Sequence, residues 1–273
     1  MTKLAPCKVK ITAIIFLLLA GFVATALIPK LNQPAYAHTF TGDESASFLS
    51  VIRILLAENN LVQTNLASNP TLAQEHAKAV VNIVNGNHTF GILPDEVSEN
   101  NKRVASDVIR GANALQTTVS SKPAPTPADV GAKINYLNGV LQEAVTVRVP
   151  KAHTINSTII AQATKNIVNE TLRQYGYAFG VANAKGGGQR TITNMSAYQS
   201  AQGLASQTHG MLIQAKSVIS ANATSATKPA VAKLDVDLSQ LKKTIDEKNP
   251  YDKVASLVQK TVYPDIDTAF HMK

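Results

Sequence analysis

Apolar residues recur along this chain at the three- and four-residue spacing of an α-helix, from about residue 41 to near its end. The first such stripe consists of Phe48, Val51, Ile52, Leu55 and Leu56. Spacing of this kind predicts a helix with one buried face. Seven further stripes follow, over residues 73–84, 97–119, 130–145, 155–168, 201–218, 231–245 and 254–258. Because no segment alternates with period two, the sequence predicts an all-α antiparallel bundle of about eight helices.

Several of the predicted helices have a recognisable start. Thr41 and Glu44 have the spacing of a capping box, in which a hydroxyl and a carboxylate each bind an otherwise unpaired backbone amide. Three other starts combine a capping residue with proline, whose missing amide would have no partner in the first turn anyway. These starts are Asn69-Pro70, Thr126-Pro127 and Asn249-Pro250.

The first 37 residues predict an export signal. Lys3, Lys8 and Lys10 precede an uncharged apolar run over residues 11–28, and residues 35–37 read Ala-Tyr-Ala. A basic region, an apolar region and an A-x-A site are typical of a secretory signal peptide, here with cleavage after Ala37. The alternative is an uncleaved anchor, because the run is just long enough to span a membrane. In both cases the remaining chain is expected outside the cytoplasmic membrane, with no later stretch approaching an apolar span.

We divide the chain into a signal peptide or N-terminal membrane anchor (1–37), a helical unit A (38–149) and a helical unit B (150–273). The unit boundary is placed at the sequence Arg-Val-Pro-Lys over residues 148–151, near the middle of the exported part. Proline at this position favours the end of one helix and the start of another. Two four-helix units are therefore predicted, with a single undivided bundle as the alternative.

Charge and cysteine content exclude several classes of function. The formal net charge is +8, and Lys3, Lys8, Lys10 and Lys30 of the leader contribute four of these charges. The basic residues of the exported part are spread out, without the clustered patch that a nucleic-acid surface needs, so no nucleic-acid partner is expected. The only cysteine is Cys7 in the leader, so the exported part has no disulfide and no thiolate metal site.

Histidines are the candidate metal ligands. Cleavage after Ala37 would make His38 the N-terminal residue, whose amine and imidazole can together bind Cu(II), with a further histidine completing a histidine brace. His76 and His209 lie at the edges of apolar stripes and are candidates for the further ligand. The alternative for these two is a half-buried, hydrogen-bonded histidine. We therefore expect no cofactor, with copper as the alternative.

Motifs for catalysis are missing. The chain has no Gly-x-Ser-x-Gly elbow, no His-Glu-x-x-His motif and no cysteine nucleophile in its exported part, so a non-enzymatic role is expected. The glycine-rich residues 185–190 lack the Gly-Lys-Ser/Thr of a phosphate loop and are interpreted as a hinge. Glu96 and Glu99 are interpreted as acidic residues that favour a helix N-terminus.

Five glycosylation sequons occur, at Asn87, Asn156, Asn169, Asn194 and Asn222.

The leader ends in Ala-Tyr-Ala and is followed by His-Thr-Phe-Thr-Gly-Asp-Glu-Ser over residues 38–45, by a cysteine-free helical body and by the sequons. In these features the sequence resembles exported all-helical proteins of ammonia-oxidising archaea. The resemblance implies export and a helical fold, and it transfers no catalytic residue.

A second resemblance concerns residues 238–245, Leu-Ser-Gln-Leu-Lys-Lys-Thr-Ile. This stretch is similar to helical extracytoplasmic domains of imelysin-type and iron-permease-associated proteins. The Gly-x-His-x-x-Glu and Arg-Glu-x-x-Glu metal signatures of those proteins are missing here, so no iron ligand is transferred.

Together these observations predict a non-enzymatic, extracytoplasmic binding or scaffold protein of the cell envelope. Its partner would be an envelope protein or ligand that the sequence does not identify, and its membrane contact would run only through the N-terminal segment. The alternative function is extracytoplasmic metal handling, with copper favoured over iron.

Overall fold

A computed structural model describes residues 40–86, 93–181, 191–221 and 227–271. Within these ranges the chain is helical and contains no strand, which confirms the predicted all-α bundle. The helices are α1 Gly42–Asn65, α2 Pro70–Val84, α3 Leu93–Ser98, α4 Lys102–Val119, α5 Pro127–Arg148, α6 Lys151–Thr154, α7 Ser157–Ala178, α8 Met195–Ala221, α9 Thr227–Asp246, α10 Tyr251–Leu257 and α11 Tyr263–Phe270. A π-helical turn, Val258–Val262, joins α10 and α11 into one helix. Eight of the ten resulting helices in the described ranges have seven or more residues, as predicted.

Local capping signals explain most of the helix starts. The capping box of α1 is present, because Thr41 N donates to Glu44 Oε2 (2.6 Å) and Glu44 N donates to Thr41 Oγ1 (3.3 Å). Asn69 caps α2. Thr126 caps α5, where Asp129 completes a second capping box. These predicted starts are confirmed, since each depends only on residues within one turn of the helix.

The start predicted at Asn249-Pro250 is displaced by one residue. Pro250 is the N-cap of α10, which begins at Tyr251. Asn249 instead binds a backbone group near the end of α9, because its side-chain amide donates a hydrogen bond to the carbonyl oxygen of Thr244 (3.1 Å). Its own carbonyl oxygen accepts a hydrogen bond from the Tyr175 hydroxyl (2.5 Å).

The helix predicted over residues 97–119 is two helices, α3 and α4. Asn101 separates them by adopting an extended backbone and accepting a hydrogen bond from Val104 N (3.2 Å), which makes it the N-cap of α4. Val97 and Val104 are seven residues apart, so the apolar stripe stays in helical register across the break. The apolar stripe that predicted the fifth helix included Ile155. This residue lies before the first residue of α7 and is exposed.

The predicted position near a helix N-terminus is confirmed for Glu96, which lies in the first turn of α3, and is wrong for Glu99. Glu99 lies beyond the end of α3, and both carboxylates accept hydrogen bonds from Nη2 of Arg148 (3.2 Å each). The Arg148 side chain is 1% exposed, and its guanidinium carbon lies 3.5 Å from the centroid of the Phe40 ring. One arginine at the end of α5 therefore ties together α3 and the segment that leads into α1.

The described residues from Phe40 onward belong to one compact unit that contains two clusters of buried apolar side chains. The first cluster is formed mainly by α1 to α5, and the second mainly by α8 to α11. α7 contributes to both, through residues such as Ile167 to the first and Val168 to the second. The division into units 38–149 and 150–273 stays a prediction.

α1 lies at the centre of the first cluster, in contact with α2, α5, α7 and α8. It is also the one described helix whose length and composition would allow it to cross a membrane. The expectation that no such stretch follows the leader is therefore wrong by those two criteria. In the fold, 67% of its most apolar window is buried, as expected for a core helix.

Replacing Asn101 by alanine is expected to lower the free energy of unfolding by about 1 kcal/mol, because the first turn of α4 loses its side-chain cap. Urea unfolding followed by circular dichroism measures this change. The matched control is Asn100→Ala at the neighbouring exposed position, which should stay within about 0.5 kcal/mol of the unmodified protein. Equal losses for both variants would contradict the assigned cap.

Candidate functional site

One side of α1 borders an apolar cavity of about 390 Å³ between α1, α5, α6, α7 and α8. Cavities of this size and character are the usual places where proteins hold small molecules. Three polar residues, Arg53, Gln142 and Thr154, contribute to the wall. The remaining lining residues are apolar: Leu49, Ile52, Leu56, Val145, Ile160, Met211 and Ala215.

The sequence of α1 explains this composition. Positions 49, 52, 53 and 56 follow the helical spacing and share one face, so a single arginine interrupts an otherwise apolar stripe. Burial lowers the pKa of Arg53, but an arginine in a protein keeps its proton. Arg53 is the one charged residue in the lining of this cavity. The arrangement suits a molecule with an apolar body and one anionic group.

A different side of α1 carries a buried polar network. Glu58 of α1 is 2% exposed and His76 of α2 is 0% exposed, with Glu58 Oε2 lying 2.7 Å from His76 Nδ1. The second ring nitrogen, Nε2, lies 2.9 Å from Oε1 of Gln199 on α8. The Gln199 amide in turn pairs reciprocally with the amide of Asn65 (2.9 and 3.1 Å).

Both ring nitrogens of His76 face acceptor oxygens, an arrangement that favours the doubly protonated imidazolium. Burial by itself would lower the pKa of His76. The hydrogen bond and the negative charge of Glu58 outweigh this effect, so the pKa is raised above its ordinary value. Glu58 and His76 therefore form a buried ion pair. Both ring nitrogens of His76 are thus engaged in hydrogen bonds within the network.

The three predicted metal ligands have different surroundings. His38 lies outside the described residues. His76 belongs to the network above, whereas His209 of α8 is half-buried, with its Nε2 2.7 Å from Asp235 Oδ1. Asp235 also accepts a hydrogen bond from Lys216 Nζ (2.8 Å). In the described ranges no three His, Cys, Asp or Glu side chains converge as a metal site, and the metal assignment stays a prediction.

Three of the five sequon asparagines, Asn156, Asn169 and Asn194, lie in described parts of the chain, and all three are exposed. Asn156 and Asn194 use their side-chain oxygens to cap the starts of α7 and α8. The other two sequons, at Asn87 and Asn222, lie outside the described residues, as does the glycine-rich segment 185–190. Glycosylation of this chain stays a prediction.

Sequence reasoning identified His76 but missed its partners Glu58 and Gln199. The available signal was the position of Glu58 between the apolar residues Leu55 and Val62, on a face predicted to be buried. A buried carboxylate needs a partner, so a cationic side chain opposite this position could have been expected. The identity of that partner depends on how α1, α2 and α8 pack.

No protein family, curated protein or solved structure matches this chain. The resemblances to archaeal exported proteins and to imelysin-type domains therefore stay expectations from sequence. Function has to be inferred from the cavity and the network themselves.

The Glu58–His76 pair predicts a specific pH dependence of stability. Because the folded-state pKa of His76 is raised, the pair contributes fully below the ordinary histidine pKa of about 6.5. That contribution is lost as the pH rises from there through the raised pKa. Urea unfolding measured from pH 6 to pH 9 should therefore show a falling free energy of unfolding.

The Glu58→Gln variant is expected to lose this fall and to be about 3–5 kcal/mol less stable at pH 6, because a buried pair has lost one partner. The control is Asp252→Asn, which removes an exposed carboxylate of α10 that has no part in the pKa shift of His76 and should keep the slope. Identical slopes for Glu58→Gln and the unmodified protein would show that the pair does not titrate as described.

Proposed function

We propose that this chain is a non-enzymatic helical binding protein that works outside the cytoplasmic membrane and holds an anionic amphiphile in the cavity beside α1. The observation that carries this proposal is the cavity itself, with seven apolar lining residues and Arg53 as its one charged residue. Without a ligand, the apolar part of this lining stays in contact with water, which is unfavourable for a purely structural protein. The cavity therefore favours a binding role over a purely structural one.

The extracytoplasmic location rests on the leader. Its basic, apolar and A-x-A regions are those of an export signal. A binding protein outside the membrane would meet amphiphiles with fatty acyl or isoprenoid chains that leave the lipid bilayer. The proposed ligand class therefore fits the proposed location.

The composition of the cavity also supports a non-catalytic role. Acid–base or nucleophilic catalysis needs a titratable or nucleophilic group beside a partner that activates it. The Thr154 hydroxyl donates to the carbonyl oxygen of Lys151 (2.8 Å), and arginine stays protonated at physiological pH. The polar lining of the cavity is suited to orient an anionic headgroup.

In this proposal the apolar part of the ligand packs against side chains such as Leu49, Leu56 and Met211. Each Å² of apolar surface removed from water contributes about 25 cal/mol to binding. The anionic group binds Arg53 by charge-assisted hydrogen bonds, which are worth about 1.5–3 kcal/mol. The apolar contacts would thus supply most of the affinity, and the arginine would supply the preference for an anion.

Titration with the fluorescent amphiphile 11-(dansylamino)undecanoic acid tests the proposal. Saturable binding of one molecule per chain is expected. Arg53→Gln should weaken it roughly 10- to 100-fold, the equivalent of the lost charge-assisted hydrogen bonds. The matched control is Arg103→Gln, which removes an exposed arginine of α4 that does not line the cavity.

A second variant, Leu56→Trp, places a larger side chain in the cavity and should abolish binding. This result is expected whatever the effect of Arg53→Gln. The neutral analogue 11-(dansylamino)undecanol should bind the unmodified protein and the Arg53→Gln variant equally. The absence of saturable binding would overturn the proposed function, and indifference to Arg53→Gln would overturn the role of the headgroup.

A further inference from the structure

α7 borders a second, polar concave surface that shares no lining residue with the cavity beside α1. Two neighbouring cavities of about 310 and 470 Å³ share the side chains of Arg173 and Tyr177. Neither contains a residue that lines the apolar cavity. We call these two cavities together the α7 cleft.

The lining of the α7 cleft both donates and accepts hydrogen bonds. The smaller cavity is formed by α1, α2, α7 and the start of α8, and its polar lining includes Glu58, Asn82, Gln174, Asn194 and Ser200. The larger cavity is lined by Asn169, Tyr251 and Gln259, among others. Side-chain amides and hydroxyls both donate and accept hydrogen bonds. This lining therefore suits a ligand whose polar groups also donate and accept hydrogen bonds.

The charges in the cleft are balanced within the protein. Glu170 is 2% exposed and accepts hydrogen bonds from Arg173 Nε (2.6 Å) and Nη2 (2.5 Å). Glu58 is matched by protonated His76. Each charged group that lines the cleft thus already has a partner of opposite charge, and a neutral ligand fits this surface better than an ion.

Tyr177 supplies an aromatic surface between the two cavities. Its side chain is 41% exposed. Arg173 holds it in place by donating from Nη1 to the Tyr177 hydroxyl (3.3 Å), with the guanidinium carbon 5.1 Å from the ring centroid. An aromatic ring fixed in this way offers a preorganised apolar face beside hydrogen-bonding groups.

We propose that the α7 cleft binds a neutral oligosaccharide. One sugar ring would lie against Tyr177 through its C–H face, and neighbouring sugar units would occupy the two cavities. Sugar hydroxyls donate and accept hydrogen bonds, so they match the amides and hydroxyls of the lining. The size and division of the cleft favour a ligand of two or more sugar units over a monosaccharide.

Isothermal titration calorimetry with four neutral trisaccharides tests this proposal: maltotriose, cellotriose, mannotriose and N,N′,N″-triacetylchitotriose. The protein is produced without glycosylation, because Asn169 and Asn194 are sequon residues in the cleft. At least one trisaccharide is expected to bind saturably. Tyr177→Ala should weaken that binding at least tenfold, whereas Tyr177→Trp should retain it, because the ring is kept.

The matched control is Tyr136→Ala. Tyr136 of α5 is 40% exposed and accepts a hydrogen bond from Arg110 (2.8 Å), so it resembles Tyr177 in exposure and partner but does not line the cleft. Asn82→Ala changes an exposed lining residue and should weaken binding several-fold even if Tyr177→Ala fails to fold. The chain has no tryptophan, so the Tyr177→Trp variant also reports binding through the fluorescence of a single tryptophan.

Failure of all four trisaccharides to bind would overturn the proposal. Binding that Tyr177→Ala leaves unchanged, or that Tyr136→Ala weakens equally, would also overturn it. The amphiphile titration uses a different cavity and different variants, so each result stands independently of the other.

Discussion

The buried ion pair between Glu58 and His76 is the constraint on which the arrangement around α1 depends. A carboxylate that is 2% exposed costs several kcal/mol in the core unless a partner of opposite charge lies within hydrogen-bonding distance. His76 of α2 lies within this distance, and Oε1 of Gln199 on α8 accepts a hydrogen bond from its second ring nitrogen. Glu58, His76 and Gln199 therefore join α1, α2 and α8 through a continuous set of hydrogen bonds.

The apolar cavity and the α7 cleft both border α1, on different sides of the helix. With Glu58 directed at α2 and α8, the face that carries Leu49, Arg53 and Leu56 borders the apolar cavity. Glu58 itself lines the smaller cavity of the α7 cleft, where its charge is already matched. One helix thus lies between an apolar lining that includes Arg53 and a polar lining that includes Glu58.

Local features of the fold could be predicted from the sequence, and contacts between distant residues could not. Thr41 with Glu44, Asn69 and Thr126 act within one helical turn, so their spacing was sufficient to predict them. The break at Asn101 stayed hidden because Val97 and Val104 keep the helical spacing across it. The convergence of Glu96 and Glu99 on Arg148 joins residues about 50 positions apart, a distance at which no spacing rule applies.

In the candidate site, too, local features were predicted and contacts between helices were not. His76 stood out as a polar residue beside an apolar stripe, but its partners come from two other helices. Arg53 was missed because an arginine on a mostly apolar helix is normally interpreted as a residue at the solvent edge of the helix. Only the packing of α5, α7 and α8 against α1 turns that edge into the wall of a cavity.

Native mass spectrometry of the protein, isolated without detergent from the cells that produce it, tests the central claim most directly. The account predicts one non-covalently bound acidic amphiphile per chain, released on denaturation and identified by its mass. A chain that carries no small molecule, or that carries only a metal ion, would contradict it.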